Sequence, residues 1–162
     1  MQMVHEMRRL RAEHAALATL SGFLMELVAT PEPPRPTELA AVRGMFRDTL
    51  VRHLKCEDWI LYPRLKASGD VELQRLAREF VGEMGHLAED FTAYDMRWTE
   101  AVIARDWAGF CSETETILDA IGMRIEREEA DLYPAVEALA PSAIPERAVM
   151  ARPIRGAAAA SH

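Results

Sequence analysis

At 162 residues, 49% of them apolar, the chain suffices for one domain with a full core, yet no apolar run approaches the roughly 18 residues that cross a bilayer. The start, Met1-Gln2-Met3-Val4-His5-Glu6, is charged and mixed and does not read as a secretory signal, so the expected location is cytoplasmic, with no membrane partner. A formal net charge of −7, with no dense basic run beyond Arg8, Arg9 and Arg11, argues against nucleic acid as the main partner, and two cysteines, Cys56 and Cys111, make no disulfide framework and are expected as reduced packing residues.

Alternating β-branched runs do not occur, whereas Ala, Leu, Glu, Arg and Met fill most of the length, so every predicted element is a helix. The first spans 3–30, with Met7, Leu10, Leu17, Leu24 and Val28 at helical spacing; His14 interrupts that face. Pro31-Glu32-Pro33-Pro34-Arg35-Pro36 cannot be helical and ends it. The second helix, 37–67, carries Val42, Phe46, Leu50, Ile60 and Leu61, and on the same face His53 and Glu57 at i and i+4. Ser68-Gly69-Asp70 is a turn that offers Asp70 as an N-cap. The third, 71–104, shows Leu76, Phe80, Leu87 and Tyr94, with His86 and Asp90 repeating the i, i+4 spacing. Arg105-Asp106 is a weaker break with Asp106 as the cap, and the fourth helix, 107–140, presents Phe110, Ile117, Ile121, Ile125 and Leu132 together with Arg124 and Glu128. Trp59, Trp98 and Trp107 are expected in the core or at the bundle edge. The domain is therefore 1–140, followed by a flexible C-terminal tail, 141–162. Four such helices with short connections predict an all-α fold, an up-down-up-down antiparallel four-helix bundle.

The segment from His53 to Pro63 aligns with Arg124 to Pro134 at an offset of 71 (57 to 128), sharing the Glu and Leu-Tyr-Pro, and His14 falls on His86 at an offset of 72 (14 to 86). Two matching helix pairs suggest a site between the halves. His14, His53, Glu57, His86, Asp90, Arg124 and Glu128 all take positions expected to face the core, where an unpaired carboxylate costs several kcal/mol. Imidazole and carboxylate together suit iron, manganese or zinc, and the i, i+4 pairing lets one helix deliver two ligands to one centre. At about 1.5 Å per residue, His14 and His53 both lie about 24 Å from their shared loop, so they meet; His86 and Arg124 agree similarly about theirs. Across the second break Glu57 and His86 do not match in level, and Pro63 is expected to disrupt the helix end and absorb the difference.

His-x-x-x-Glu followed by Leu-Tyr-Pro on the second helix, Glu-Glu-x-x-Leu-Tyr-Pro on the fourth, and lone histidines on the first and third resemble the hemerythrin-like, HHE cation-binding family, over about residues 5–140. The resemblance implies a bundle with a non-haem di-iron centre, and roles in dioxygen binding, iron or oxygen sensing, or defence against peroxide and nitric oxide. It implies that one iron takes His14 and His53, with Glu57 and Glu128 bridging, and that the other takes His86, with Asp90 where hemerythrins have a second His. A further helix-four His is replaced by Arg124, which stays protonated and offers no lone pair.

Four outcomes are open for Arg124: an altered di-iron site with His86 and Asp90, a mononuclear site, a guanidinium that neutralises the core carboxylates in place of metal, or a side chain that snorkels outward. Tyr62 and Tyr133 either hydrogen-bond to the ligands or pack at the bundle end. The functional expectation is sensing or redox handling of a small diatomic ligand or peroxide. Peroxidase- or oxidase-like activity is one alternative, and a metal-free interaction module is another; signalling output would need a homodimer or a protein partner.

Overall fold

Pro36 opens the second helix in its first turn, where a missing N–H breaks no helical bond, and the segment before it separates α1 (Gln2–Val28) from α2 (Pro36–Cys56). The structure, a computed structural model, describes residues 2–139, so the tail expected over 141–162 lies outside the described residues. α2 runs without a stop into a wide π turn, Glu57–Leu61, and then α3 (Tyr62–Lys66). α4 (Val71–Met84) starts where the Asp70 carboxylate accepts from Leu73 N at 2.8 Å. α5 (Leu87–Arg97) and α6 (Glu100–Arg105) come next, and α7 (Trp107–Arg127) begins as Asp106 accepts from Gly109 N at 2.9 Å. A second π turn, Glu128–Leu132, and α8 (Tyr133–Glu137) complete the fourth rod. Among the described residues there is no strand, and the bundle is all-α as expected.

The third predicted helix is corrected to three pieces. A turn at Gly85-His86 separates α4 from α5, and α6 is set off by its own cap, Thr99, which accepts from Val102 N at 3.4 Å. At Gly85 the chain passes so close to the Val81 carbonyl oxygen that an added Cβ would stand 2.5 Å from it.

Both π turns have the same cause. An α-helix through Pro63 or Pro134 would lose one bond and drive the proline ring into the carbonyl four residues back. Instead the ladder widens: Tyr62 N–H bonds to Glu57 O and Tyr133 N–H to Glu128 O, each five residues back. The helix therefore continues past Pro63, which was expected to disrupt it. In an α-helix, residues five apart diverge by about 140°. The wide turn instead buries Glu57 together with Tyr62, and Glu128 together with Tyr133. The repeat seen in the sequence is thus a repeat of backbone geometry.

The core has two apolar clusters. Leu17, Leu24, Phe46, Leu50, Phe91, Phe110 and Ile121 belong to one; Met7, Leu10, Leu61, Leu65, Phe80, Leu132 and Val136 belong to the other. His14, His53, Glu57, Arg124 and Glu128 are buried in the layer between them. Met7, Leu10, Leu17, Leu24 and Val28 all face inward as expected. Trp59 and Ile60 do not: they occupy the outer side of the first π turn, 72% and 41% exposed, with Lys55 over the Trp59 ring. Trp98 is buried, and the half-buried Trp107 donates from Nε1 to Thr30 O.

Candidate metal centre

Four side chains converge in the polar layer. His14 comes from α1, His53 from α2, and Glu57 and Glu128 from the first residue of each π turn; their ligating atoms all lie within 4.8 Å of one another. His14 Nε2 stands 3.0 Å from His53 Nε2 and 3.1 Å from Glu128 Oε2, and His53 Nε2 is 3.1 Å from Glu57 Oε1. All four residues are buried, at 3% exposure or less.

The far side of each imidazole is committed to a carboxylate. His53 Nδ1 bonds Glu13 Oε2 at 2.9 Å, and His14 Nδ1 bonds Glu129 Oε1 at 2.7 Å. Donation from Nδ1 leaves Nε2 with its lone pair aimed into the site, the arrangement that carboxylates impose on metal-binding histidines. Four acceptor atoms then face one another, and the Tyr133 hydroxyl, 2.6 Å from Glu57 Oε1 and 3.2 Å from His14 Nε2, is a neutral donor among them. This donor set fits a first-row transition metal. Without metal, the proton does the work: burial alone would lower His53, but hydrogen bonds with Glu128, Glu13 and Glu57 push it up to about 11.

The carboxylates are held from the opposite side as well. Arg124 donates from Nη2 to Glu57 Oε2 and from Nε to Glu128 Oε1, both at 2.7 Å. The same guanidinium reaches Met84 O at 3.1 Å and Asp58 Oδ1 at 3.3 Å, with the Tyr62 ring beside it. Burial would lower its pKa, yet Glu57 and Glu128 raise it well above the ordinary arginine value, so it stays charged. Burial likewise raises Glu128, but the hydrogen bonds from His14 and His53 and the Arg124 charge hold it below the usual carboxylate range.

The two tyrosines bond crosswise between the halves of the repeat. Tyr133 O–H donates to Glu57 Oε1 at 2.6 Å, and Tyr62 O–H donates to Glu128 Oε1 at 3.0 Å. The Tyr133 ring also stacks on His14, with centroids 5.0 Å apart. Burial and the neighbouring carboxylates push both phenols far above their ordinary range, which keeps them as donors. Both expectations for these residues are met: the rings pack in the second apolar cluster, and the hydroxyls hydrogen-bond to the acidic pair.

His86 and Asp90 are corrected. Their side chains are 63% and 56% exposed, and they face each other at 3.5 Å on the outside of the bundle. The backbone near them does reach the site, through Met84 O, but Leu87 takes the inward position after the Gly85-His86 turn. His86 lies one residue, or about 100°, away from that face. Arg124 does not snorkel outward; it is 2% exposed.

Two contributors were missed in the sequence. Glu13, 7% exposed, also pairs with Arg9 at 3.0 Å; burial would raise it, but His53 and Arg9 hold it at about 2. Glu129 bonds Arg11 as well as His14. Each sits one residue before or after a candidate ligand, and helical spacing alone assigns such neighbours to solvent. Cys56 is buried and its thiol is pushed up by that burial, so it is a packing residue as expected.

Among the described residues no helix is long and apolar enough to cross a membrane. The family model for the hemerythrin HHE cation binding domain matches residues 5–136, which is most of the chain and includes the whole site. No curated protein and no solved structure matches the chain significantly.

Proposed function

The chain belongs to the hemerythrin HHE cation-binding family, and from that premise we propose that it binds non-haem iron through His14, His53, Glu57 and Glu128 for sensing or redox handling of dioxygen, nitric oxide or peroxide. One observation carries the reading: two histidines with both outer nitrogens tied to carboxylates turn their Nε2 atoms toward each other at 3.0 Å, beside two buried glutamates. Bound iron would supply Lewis acidity and redox chemistry toward these small molecules. The protein's own part is positional. Glu13 and Glu129 set the imidazole tautomers, Tyr62 and Tyr133 orient the carboxylates, and the apolar clusters on both sides keep bulk water away. A plain oxygen carrier is disfavoured because His86 and Asp90 are not available to complete a second ligand set.

The test is anaerobic reconstitution with Fe(II), followed by metal analysis and then nitric oxide. Retained iron and a nitric-oxide-dependent electron paramagnetic resonance signal, both lost in His53→Ala, are expected. Failure to retain iron would overturn the proposal. It would favour a second reading, supported by the Arg124 bonds to Glu57 and Glu128: a metal-free bundle that acts as an interaction module for a signalling partner.

A further inference from the structure

We infer that the site takes a single metal ion per chain, because the Arg124 guanidinium permanently fills the place of a second cation; this rests on the metal-binding reading above. Each carboxylate is divided in the same way. Glu57 turns Oε1 toward His53 and Oε2 toward Arg124, while Glu128 turns Oε2 toward His14 and Oε1 toward Arg124. A carboxylate that bridges two ions gives one oxygen to each. Here Glu57 Oε1 and Glu128 Oε2 face the imidazoles, Glu57 Oε1 accepting in addition only from the neutral Tyr133 hydroxyl, whereas the opposite pair is already bonded to a charged group that has no lone pair.

The guanidinium is not a lid that an incoming ion would displace at little cost. Its donors serve Glu57, Glu128, Asp58 and the Met84 carbonyl, which lies at the C-terminal end of α4. Moving it outward would strand buried acceptors and a buried charge at once. Nor is there a ligand set waiting behind it. His86 and Asp90 lie outside the bundle, and among the described residues His14, His53, Glu57 and Glu128 form the one group able to hold an ion. Charge points the same way. Arg124 offsets one of the two carboxylate charges of Glu57 and Glu128, which leaves one to be met by an ion on the histidine side.

The experiment is an anaerobic equilibrium titration of the full chain with Fe(II), repeated with Co(II), with bound metal counted after gel filtration and followed by electronic absorption. One ion per chain with both metals, and a magnetically uncoupled ferric signal after oxidation, is the expected result. Two ions per chain, or a spin-coupled pair, would overturn the inference and leave the metal-binding reading intact. No bound ion would overturn both. Arg124→His supplies an independent arm: replacing the guanidinium with a ligand should raise the stoichiometry from one towards two. If the folded variant, judged by helical circular dichroism, still binds one ion with unchanged affinity, Arg124 is not what limits the count and the inference fails.

Discussion

Arg124 Nη2 lies 2.7 Å from Glu57 Oε2, and both residues are buried between the two apolar clusters. Removing one partner of such a pair leaves an uncompensated charge, at a cost of about 3–5 kcal/mol. Arg124→Met should therefore destabilise the metal-free protein by about that much, since Glu128 loses its partner in the same step. Urea unfolding of chelator-treated protein measures this. A loss below about 1 kcal/mol would mean that the ion pairs contribute little in the folded state.

His53 touches His14, Glu57 and Glu13 at once. His53→Ala and Glu57→Ala should each lower Fe(II) affinity by more than about 100-fold, beyond the 10–100-fold typical of losing an outer partner. Competition against a chelator of known affinity gives the number. Retention of near-native affinity by either variant would remove that residue from the ligand set.

Glu13 acts on metal only through His53. Glu13→Gln should weaken Fe(II) binding by about 10–100-fold while leaving the number of ions bound unchanged. The amide keeps the size and loses the charge, so helical content should hold. An unchanged affinity would show that the imidazole is oriented by packing alone.

The same pair sets a pH dependence. His53 is raised from its ordinary 6.5 to about 11, so its stabilising contribution in the metal-free protein is full below about 6.5 and is lost as pH rises through about 11. Glu13 is depressed from 4.5 to about 2, so its contribution is full above about 4.5 and is lost as pH falls through about 2. Together they favour maximal metal-free stability between about pH 4.5 and 6.5. Metal must displace the His53 proton, so Fe(II) affinity should rise by up to about tenfold per pH unit between about pH 6 and 8. A flat affinity over that interval, measured calorimetrically in two buffers, would contradict proton displacement.

Much of this was legible in the residues themselves. Asp70 and Asp106 announced two helix starts that the structure confirms, and the five apolar positions of α1 announced its buried face. Histidines and glutamates interrupting such faces carried the site, because burying them without a counter-charge is expensive wherever the chain folds. Helical phase is also where that reading failed. Leu73, Ala77 and Phe80 of α4 and Leu87, Phe91 and Tyr94 of α5 keep one seven-residue phase across the Gly85-His86 turn, and His86 and Asp90 each stand one residue before a buried position, off that face.

The sequence alone determined the all-α bundle through local periodicity, and its motifs carried the family resemblance, which implied the His14–His53–Glu57–Glu128 quartet. Only the tertiary structure decided what surrounds the quartet. Arg124 had four readings in the sequence, and the choice among them depends on a rotamer fixed by acceptors on other segments, Glu57, Asp58 and Met84 among them. Glu13 and Glu129 were invisible because the histidines they orient lie on other helices. Spacing along one helix says which residues share a face, whereas the pairing of charges across faces is set when the helices pack.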